Sequence, residues 1–364
     1  MVGVDDVINK LSTVIDPDIK KDIVSMGMIK DIELDSGNLK FTLELTTPAC
    51  PFNEEIESDV RKAIDELDGI NNLDMNVTAK VTEGRALNTD EFLKNVKNVI
   101  GIASGKGGVG KSTVALNLSL ALAKTGAKVG LLDADVYGPS IPLMLGLKNI
   151  VVEADKDAKI IPTESNGIKV VSFGFFAERM DQAAIYRGPM LSTVLTQFLT
   201  GTVWSDLDYL IVDLPPGTGD IPLTLAQTVP ITGVVIVTTP QEVASNVAVK
   251  SIGMFDKLNV TMLGVVENMS HFECSKCSEK HYIFGTGGAQ KISEKHNIPF
   301  LGEIPLNSGI MEGSDLGKPV VITQPNSPSA EAFTAAAKNI AAQCSIAAAK
   351  LQEEMQAETT PTAS

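Results

Sequence analysis

Ser104-Gly105-Lys106-Gly107-Gly108-Val109-Gly110-Lys111-Ser112-Thr113 follows the apolar run Val99-Ile100-Gly101-Ile102-Ala103 and opens Val114-Ala115-Leu116-Asn117-Leu118-Ser119-Leu120-Ala121-Leu122. The first run predicts a buried strand, the last a buried helix, and the stretch between them a glycine loop at a helix start. Glycines leave no Cβ in the way, so successive N–H groups can turn inward around phosphate oxygens while the positive helix end adds to the field. The spacing is G-x-x-x-x-G-K-[ST]. It sets Gly105 to Thr113 around a nucleotide's phosphates, with Lys111 as a mobile charge for the β- and γ-phosphates and the Ser112 hydroxyl as a ligand for Mg²⁺. A purely structural glycine turn would not need the strand and helix on either side.

Further apolar segments recur between helical stretches: Lys128 to Leu132, Lys169 to Phe173, Tyr209 to Val212, Gly233 to Thr238, Met262 to Val266 and Phe300 to Ile304. They are β-branched and nearly continuous, which suits parallel strands covered on both faces. The alternation predicts an α/β fold with a doubly wound, mostly parallel P-loop NTPase sheet and ligands at the carboxyl ends of its strands. Upstream, Val4, Val7, Ile8, Leu11 and Ile15 have helical spacing. Gly27 to Asp35 and Leu39 to Thr46 read as a hairpin, Glu54 to Leu67 as an amphipathic helix and Met75 to Val81 as a strand. The expected organisation is a small α/β domain over 1–83, a linker over 84–97, the ATPase domain over 98–345 and a polar tail over 346–364, read as a frayed helix and loose end.

A chain of 364 residues exceeds what one core usually organises, so two domains are expected. The formal charge of −15 argues against a general nucleic-acid binder, which needs a concentrated basic footprint. Four cysteines, Cys50, Cys274, Cys277 and Cys344, are too few and too oddly spaced for a disulfide framework. With no basic, apolar leader and no apolar run long enough to span a bilayer, the expectation is a cytoplasmic protein without membrane or nucleic-acid partners.

Asp213 ends Tyr209-Leu210-Ile211-Val212, so its carboxylate emerges at a strand end, suited to holding Mg²⁺ through water; a helix cap is the plainer reading. The following Pro215-Pro216-Gly217 suits a backbone N–H, at Gly217, that senses the γ-phosphate. Asp133 and Asp135 end another strand at i, i+2 spacing, one to orient the Mg²⁺ shell and the other the attacking water. A solvated turn is the alternative for Asp135.

Cys274-Ser275-Lys276-Cys277 supplies two thiols, half the usual four-sulfur set. A symmetric dimer would bring two pairs together and suit a 4Fe-4S cluster. His271 and His281 flank the pair and leave open a single-chain zinc site of two sulfurs and two nitrogens. A redox dithiol is weaker, because no helix start carries it.

Gly-Lys-Gly-Gly-Val-Gly-Lys-Ser-Thr, with its extra Lys106, resembles the deviant Walker A of the MinD/ParA/nitrogenase-iron-protein group, whose members dimerise on ATP. That resemblance implies that Lys106 reaches the partner's phosphates, that Asp135 positions water and that Asn268 contacts adenine. From charge alone, Lys106 would instead serve its own nucleotide. Asp133-x-Asp135-x-Tyr137-Gly138-Pro139-Ser140, Asp213-x-Pro215-Pro216-Gly217-Thr218-Gly219-Asp220, Asn268-Met269-Ser270, Cys274-x-x-Cys277, Ile283 to Ala289, Pro299 to Leu306 and Glu312 to Pro319 together resemble Mrp/ApbC-type iron-sulfur cluster carriers over about 98–345. Tyr186-Arg187-Gly188-Pro189 resembles a family loop without assignable chemistry. The N-terminal unit resembles the small cluster-assembly domain of many bacterial members, with Thr46-Thr47-Pro48-Ala49-Cys50-Pro51 at its turn.

The resemblance implies a slow ATPase whose homodimer holds a bridging 4Fe-4S cluster on Cys274 and Cys277 and passes it from upstream donors to apo-proteins. Cys50 is then either a transient ligand or a structural cysteine, and Cys344 is core. Two other classes compete: a positioning ATPase with a structural zinc site, which the acidic C-terminus disfavours, and an electron-donating reductase, whose cysteines would be separated single residues.

Overall fold

In the computed structural model, the described residues are 2–85, 93–147, 150–176, 188–217, 219, 222–224, 226, 229–274, 276–277 and 279–359. Tyr186, Arg187, Thr218, Asp220 and Ser275, named above within motifs, lie outside this set, as do linker residues 86–92 and tail residues 360–364. Two compact units are present: Met1–Gly84 with Ala341–Ser364, and Arg85–Ile340.

In the smaller unit, α1 (Val4–Leu11) precedes β1 (Ile29–Asp35) and β2 (Asn38–Leu45), an antiparallel pair turned at Ser36-Gly37. Helix α2 (Asn53–Asp65) then returns the chain to β3 (Asn72–Ala79), which lies parallel to β2. Strand β2 alternates strictly, and its Leu39, Phe41, Leu43 and Leu45 meet Val7 and Leu11 of α1 and Ile56, Val60 and Ile64 of α2 in one core. The C-terminal stretch, expected as a frayed helix and loose end, is helical as far as it is described. Its helix runs unbroken from Pro328 to Thr359, because Ala335 to Ala357 holds strong helix formers and no Gly or Pro. Within this unit Lys21 pairs with Glu353 at 2.5 Å, an exposed contact of little weight for stability.

The larger unit is the doubly wound sheet. Strand β4 (Val96–Ala103) leads into helix α3 (Lys111–Lys124) and β5 (Val129–Asp133), then a small ribbon of β6 (Glu153–Ala154) and β7 (Ile160–Ile161). Strands β8 (Thr163–Ser165), β9 (Ile168–Ser172), β10 (Leu207–Asp213), β11 (Gly233–Thr238), β12 (Met262–Glu273), β13 (Lys280–His281) and β14 (Phe300–Leu306) follow. The order β13-β12-β11-β4-β10-β5-β9-β8, with β14 beside β12, is parallel except at β8 and β13. The central strands are buried on both faces, as their continuous apolar runs require. Helix α3 is buried almost all round from Val114 to Leu122, consistent with its lack of a polar stripe. In register, Asp213 lies opposite Ile102 on one side and Asp133 on the other. Both carboxylates therefore emerge at the sheet's carboxyl edge, where the glycine loop leaves β4.

Candidate nucleotide site and cysteine hairpin

The glycine loop curls between β4 and α3. A cavity of about 230 Å³ is lined by Lys106 to Thr113, Asp135, Ser140 and Pro216. An added Cβ at Gly107 or Gly108 would meet no atom within 4 Å, so the cradle is open where phosphate oxygens would come. Gly110 is the opposite case. Its φ is +79° and an added Cβ would lie 2.3 Å from Asn268 Nδ2, so a side chain there would be strained and would displace the Asn268 amide. Gly105 packs against the backbone of Val247 and Ala248.

Lys111 Nζ lies 2.5 Å from Asp213 Oδ1 and 3.3 Å from Ser112 Oγ, with both charged side chains buried. Burial drives the Asp213 carboxyl upward from its usual range, opposed by the Lys111 ammonium and by a bond from the Ser112 hydroxyl. Asp213 Oδ2 is buried without a partner. An orphaned carboxylate oxygen next to a hydroxyl and a lysine, at the mouth of an open glycine cradle, fits a Mg²⁺-nucleotide. Ser112 and Asp213 would hold the ion, and the ion would neutralise the β- and γ-phosphate oxygens.

Asp133 and Asp135 differ in their surroundings, although the sequence treats them as a pair. Asp133 is wholly buried: its Oδ1 accepts the Asp135 N–H (3.2 Å), and its Oδ2 accepts the Ser172 hydroxyl (2.8 Å) and the Ile141 N–H (3.3 Å). Burial and the neighbouring Asp213 push it up to about 7. It braces the loop that follows it. Asp135 lines the cavity, and its Oδ1 takes the N–H groups of Tyr137 and Gly138 at 3.2 and 3.3 Å. Lys106 is half-buried at the cavity edge and its carbonyl accepts the Ser104 hydroxyl (3.1 Å).

The Gly217 N–H and the Asn268 amide each have a partner within the protein. The Gly217 N–H donates to Ser104 O at 2.8 Å, which clamps the loop after β10 to the glycine loop. Asn268 Nδ2 donates to Val109 O at 2.8 Å, which makes this side chain a brace for the glycine loop.

The cysteine pair sits at the tip of the β12–β13 hairpin, whose rungs are Phe272–His281 and Glu273–Lys280. Cys274 N–H donates to Glu279 O (3.0 Å); Cys274 is a half-buried residue and Cys277 an exposed one. The N–H groups of Lys276 and Cys277, and then the Cys277 thiol, hold the Cys274 thiol below its ordinary pKa, which favours thiolate. The flanking histidines do not join the sulfurs. His271 Nδ1 lies 3.0 Å from Ser270 Oγ and His281 Nε2 lies 3.9 Å from Glu279. Among the described residues no three His, Cys, Asp or Glu side chains are grouped to hold a metal ion. In the smaller unit, the buried Cys50 thiol donates to Asp18 Oδ2 (3.2 Å), and burial with the Asp18 carboxylate pushes it up to about 12. Cys344 is buried in its helix.

Ser172 and Met269 belong to this arrangement but were not among the expected site residues. Ser172 lies far along the chain from Asp133, and no local spacing signals its contact. Met269 was legible only as part of a motif.

Residues 95–341 match the family described as NUBPL iron-transfer P-loop NTPase, and residues 4–76 match that described as iron-sulfur cluster assembly protein. An iron-sulfur cluster carrier protein of Synechocystis sp. is 48% identical over 352 residues, 96% of this chain and 99% of the relative. Among solved structures, a nucleotide-binding protein in complex with ADP from Archaeoglobus fulgidus is 41% identical, covers 67% of this chain and 94% of its own, and has a TM-score of 0.58. The cell division ATPase MinD of Pyrococcus furiosus is 25% identical over 67% of this chain and 98% of its own, with a TM-score of 0.50.

Proposed function

The chain belongs to the NUBPL iron-transfer P-loop NTPase family, and from that premise we propose that it is an ATP-hydrolysing iron-sulfur cluster carrier that builds a 4Fe-4S cluster between two copies of itself. The observation that carries this reading is the hairpin: two neighbouring thiols, one acidified, presented at the tip of a strand that also braces the phosphate loop. One chain offers two thiols there, and four thiolates suit the cluster, so a two-fold pairing of hairpins completes the set. The cluster is cargo, taken from upstream donors and passed to apo iron-sulfur proteins.

In hydrolysis, the glycine-loop N–H groups and Lys111 hold the β- and γ-phosphates, and Ser112 and Asp213 hold the metal ion, with Asp133 fixing the geometry around them. Asp135 orients a water for in-line attack on the γ-phosphorus; the bond to the β–γ bridging oxygen breaks and ADP leaves. Lys106 reaches the partner's phosphates, so each site is completed in trans. The Asn268 amide oxygen meets the adenine amino group. ATP acts mainly as a conformational ligand, because the contacts of Lys106 and of the Asp135 and Gly217 loops differ between ATP and ADP.

The test is transfer from loaded protein to an apo-acceptor with Mg-ATP, with Mg-ATPγS and without nucleotide. The expected result is a transfer rate that depends on nucleotide and is fastest when hydrolysis is allowed. Equal rates in all three would remove the coupling.

A further inference from the structure

One strand, β12, connects the phosphate loop to the cysteine hairpin, and its pairing with β14 is interrupted twice, between Val265 and Val266 and again between Asn268 and Phe272. Asn268 pairs with Ile304 and Phe272 with Leu306, so β12 holds two more residues than its neighbour over that interval. Within the interval, Met269 has φ +57°. For a residue with a Cβ this is the left-handed region, which crowds Cβ against the following carbonyl and persists only where the surroundings impose it.

Here they do so from both sides. Before Met269, the Asn268 amide donates to Val109 O at 2.8 Å; after it, the buried Ser270 hydroxyl donates to Ile304 O at 3.2 Å. The Met269 side chain itself reaches the glycine loop, its Cε lying 3.6 Å from where a Cβ on Gly110 would be. Beyond the joint the strand stiffens at once into the paired hairpin that carries Cys274 and Cys277.

We propose that Met269 is a positioning residue, a strained joint through which the state of the phosphate loop sets the placement of the cysteine hairpin. A ligand that draws Val109 and Gly110 toward its phosphates pulls first on Asn268 and Met269. Relaxing an unfavourable φ to an extended one redirects the chain that follows it. The bulge supplies the slack: the two residues that β14 does not match can shift without breaking the rungs on either side. The inference deepens the carrier reading and rests on it.

The test uses the full chain without cluster. The rate of Cys274 alkylation by iodoacetamide is measured by peptide mass spectrometry, without nucleotide and at saturating Mg-ATPγS. In the wild type the two rates should differ by about fivefold or more, the lower range of an allosteric coupling. Met269→Gly removes both the strain and the side chain that approaches Gly110, and the ratio should fall toward one. Met269→Asn, a residue that tolerates this backbone, removes the same approach to Gly110 and should give the same loss if the glycine variant does not fold. Met269→Leu keeps the bulk and the strain and should keep the ratio.

A wild-type ratio near one, a full ratio in Met269→Gly or Met269→Asn, or equal loss in all three variants overturns the joint. Nucleotide binding is read separately by displacement of a fluorescent ATP analogue. Failure to bind counts against the carrier reading itself, whereas binding without a change in alkylation counts against the joint alone.

Discussion

Replacing Lys111 by Met tests the electrostatics of the nucleotide site without any nucleotide present. The ammonium lies 2.5 Å from Asp213 Oδ1, and the two side chains are 6% and 0% exposed. Removing one partner of such a pair leaves a carboxylate buried and uncompensated, a loss of about 3–5 kcal/mol while Asp213 stays ionised. Asp213 escapes that cost by taking a proton, since burial already drives its pKa up and Lys111 was the main opposing influence. The sign follows from proton counting. Between the unfolded carboxyl value and the raised folded one, the native variant binds more protons than the unfolded chain, so stability falls as pH rises, by about 1.4 kcal/mol per unit at most. The deficit of Lys111→Met should be full at pH 8 and shrink steadily on acidification. Lys111→Met with Asp213→Asn should recover most of it, because no charge is then left unpaired. Trp204 is the single tryptophan and is buried in the larger unit, so its fluorescence in a guanidinium titration reports that unit's unfolding. A deficit under about 1 kcal/mol at pH 8, or one that grows toward acid, would refute this account of the pair.

Gly110→Ala should abolish binding of a fluorescent ATP analogue, because the new methyl would lie 2.3 Å from Asn268 Nδ2 at a φ of +79°; binding within about threefold of wild type would show that the loop yields there. Cys274 alkylation should level off at a pH below that of a free cysteine, about 8.5, since backbone N–H groups favour its thiolate. A rate still climbing beyond that pH would contradict the assignment. Asp18→Asn should lower the pKa of Cys50 from about 12, because a neighbouring carboxylate that accepts the thiol proton raises it. The thiolate absorbance in the far ultraviolet reads this directly, and an unchanged titration would leave burial as the whole cause.

Much of this molecule could be read along the chain because its elements are local. The glycine loop, its flanking strand and helix, and the order of parallel strands depend on runs of a few residues, and β11 begins and ends where its apolar run does. Strand β12 was expected to stop at Val266 because Glu267 and Asn268 break the apolar run. It continues to Glu273 because Glu267 accepts the Ala289 N–H at 2.7 Å and Asn268 bonds the glycine loop, so both polar side chains are satisfied within the fold. The same limit explains Asp133 and Gly217. Spacing shows that a carboxylate or an N–H stands at a strand end, but its partner, Ser172 or Ser104, comes from a distant segment. The left-handed turn at Met269 could not be foreseen, since no glycine or asparagine occupies that position.

The central claim is that two chains share one cluster through Cys274 and Cys277. Its most direct test is anaerobic reconstitution with iron and sulfide, followed by iron, sulfide and zinc analysis and light scattering on the same fractions, for the wild type and for Cys274→Ala with Cys277→Ala. The account predicts a brown dimer with about four iron and four sulfide per two chains, both lost in the double variant. A colourless single chain carrying one zinc, or iron retained without the two sulfurs, would contradict it.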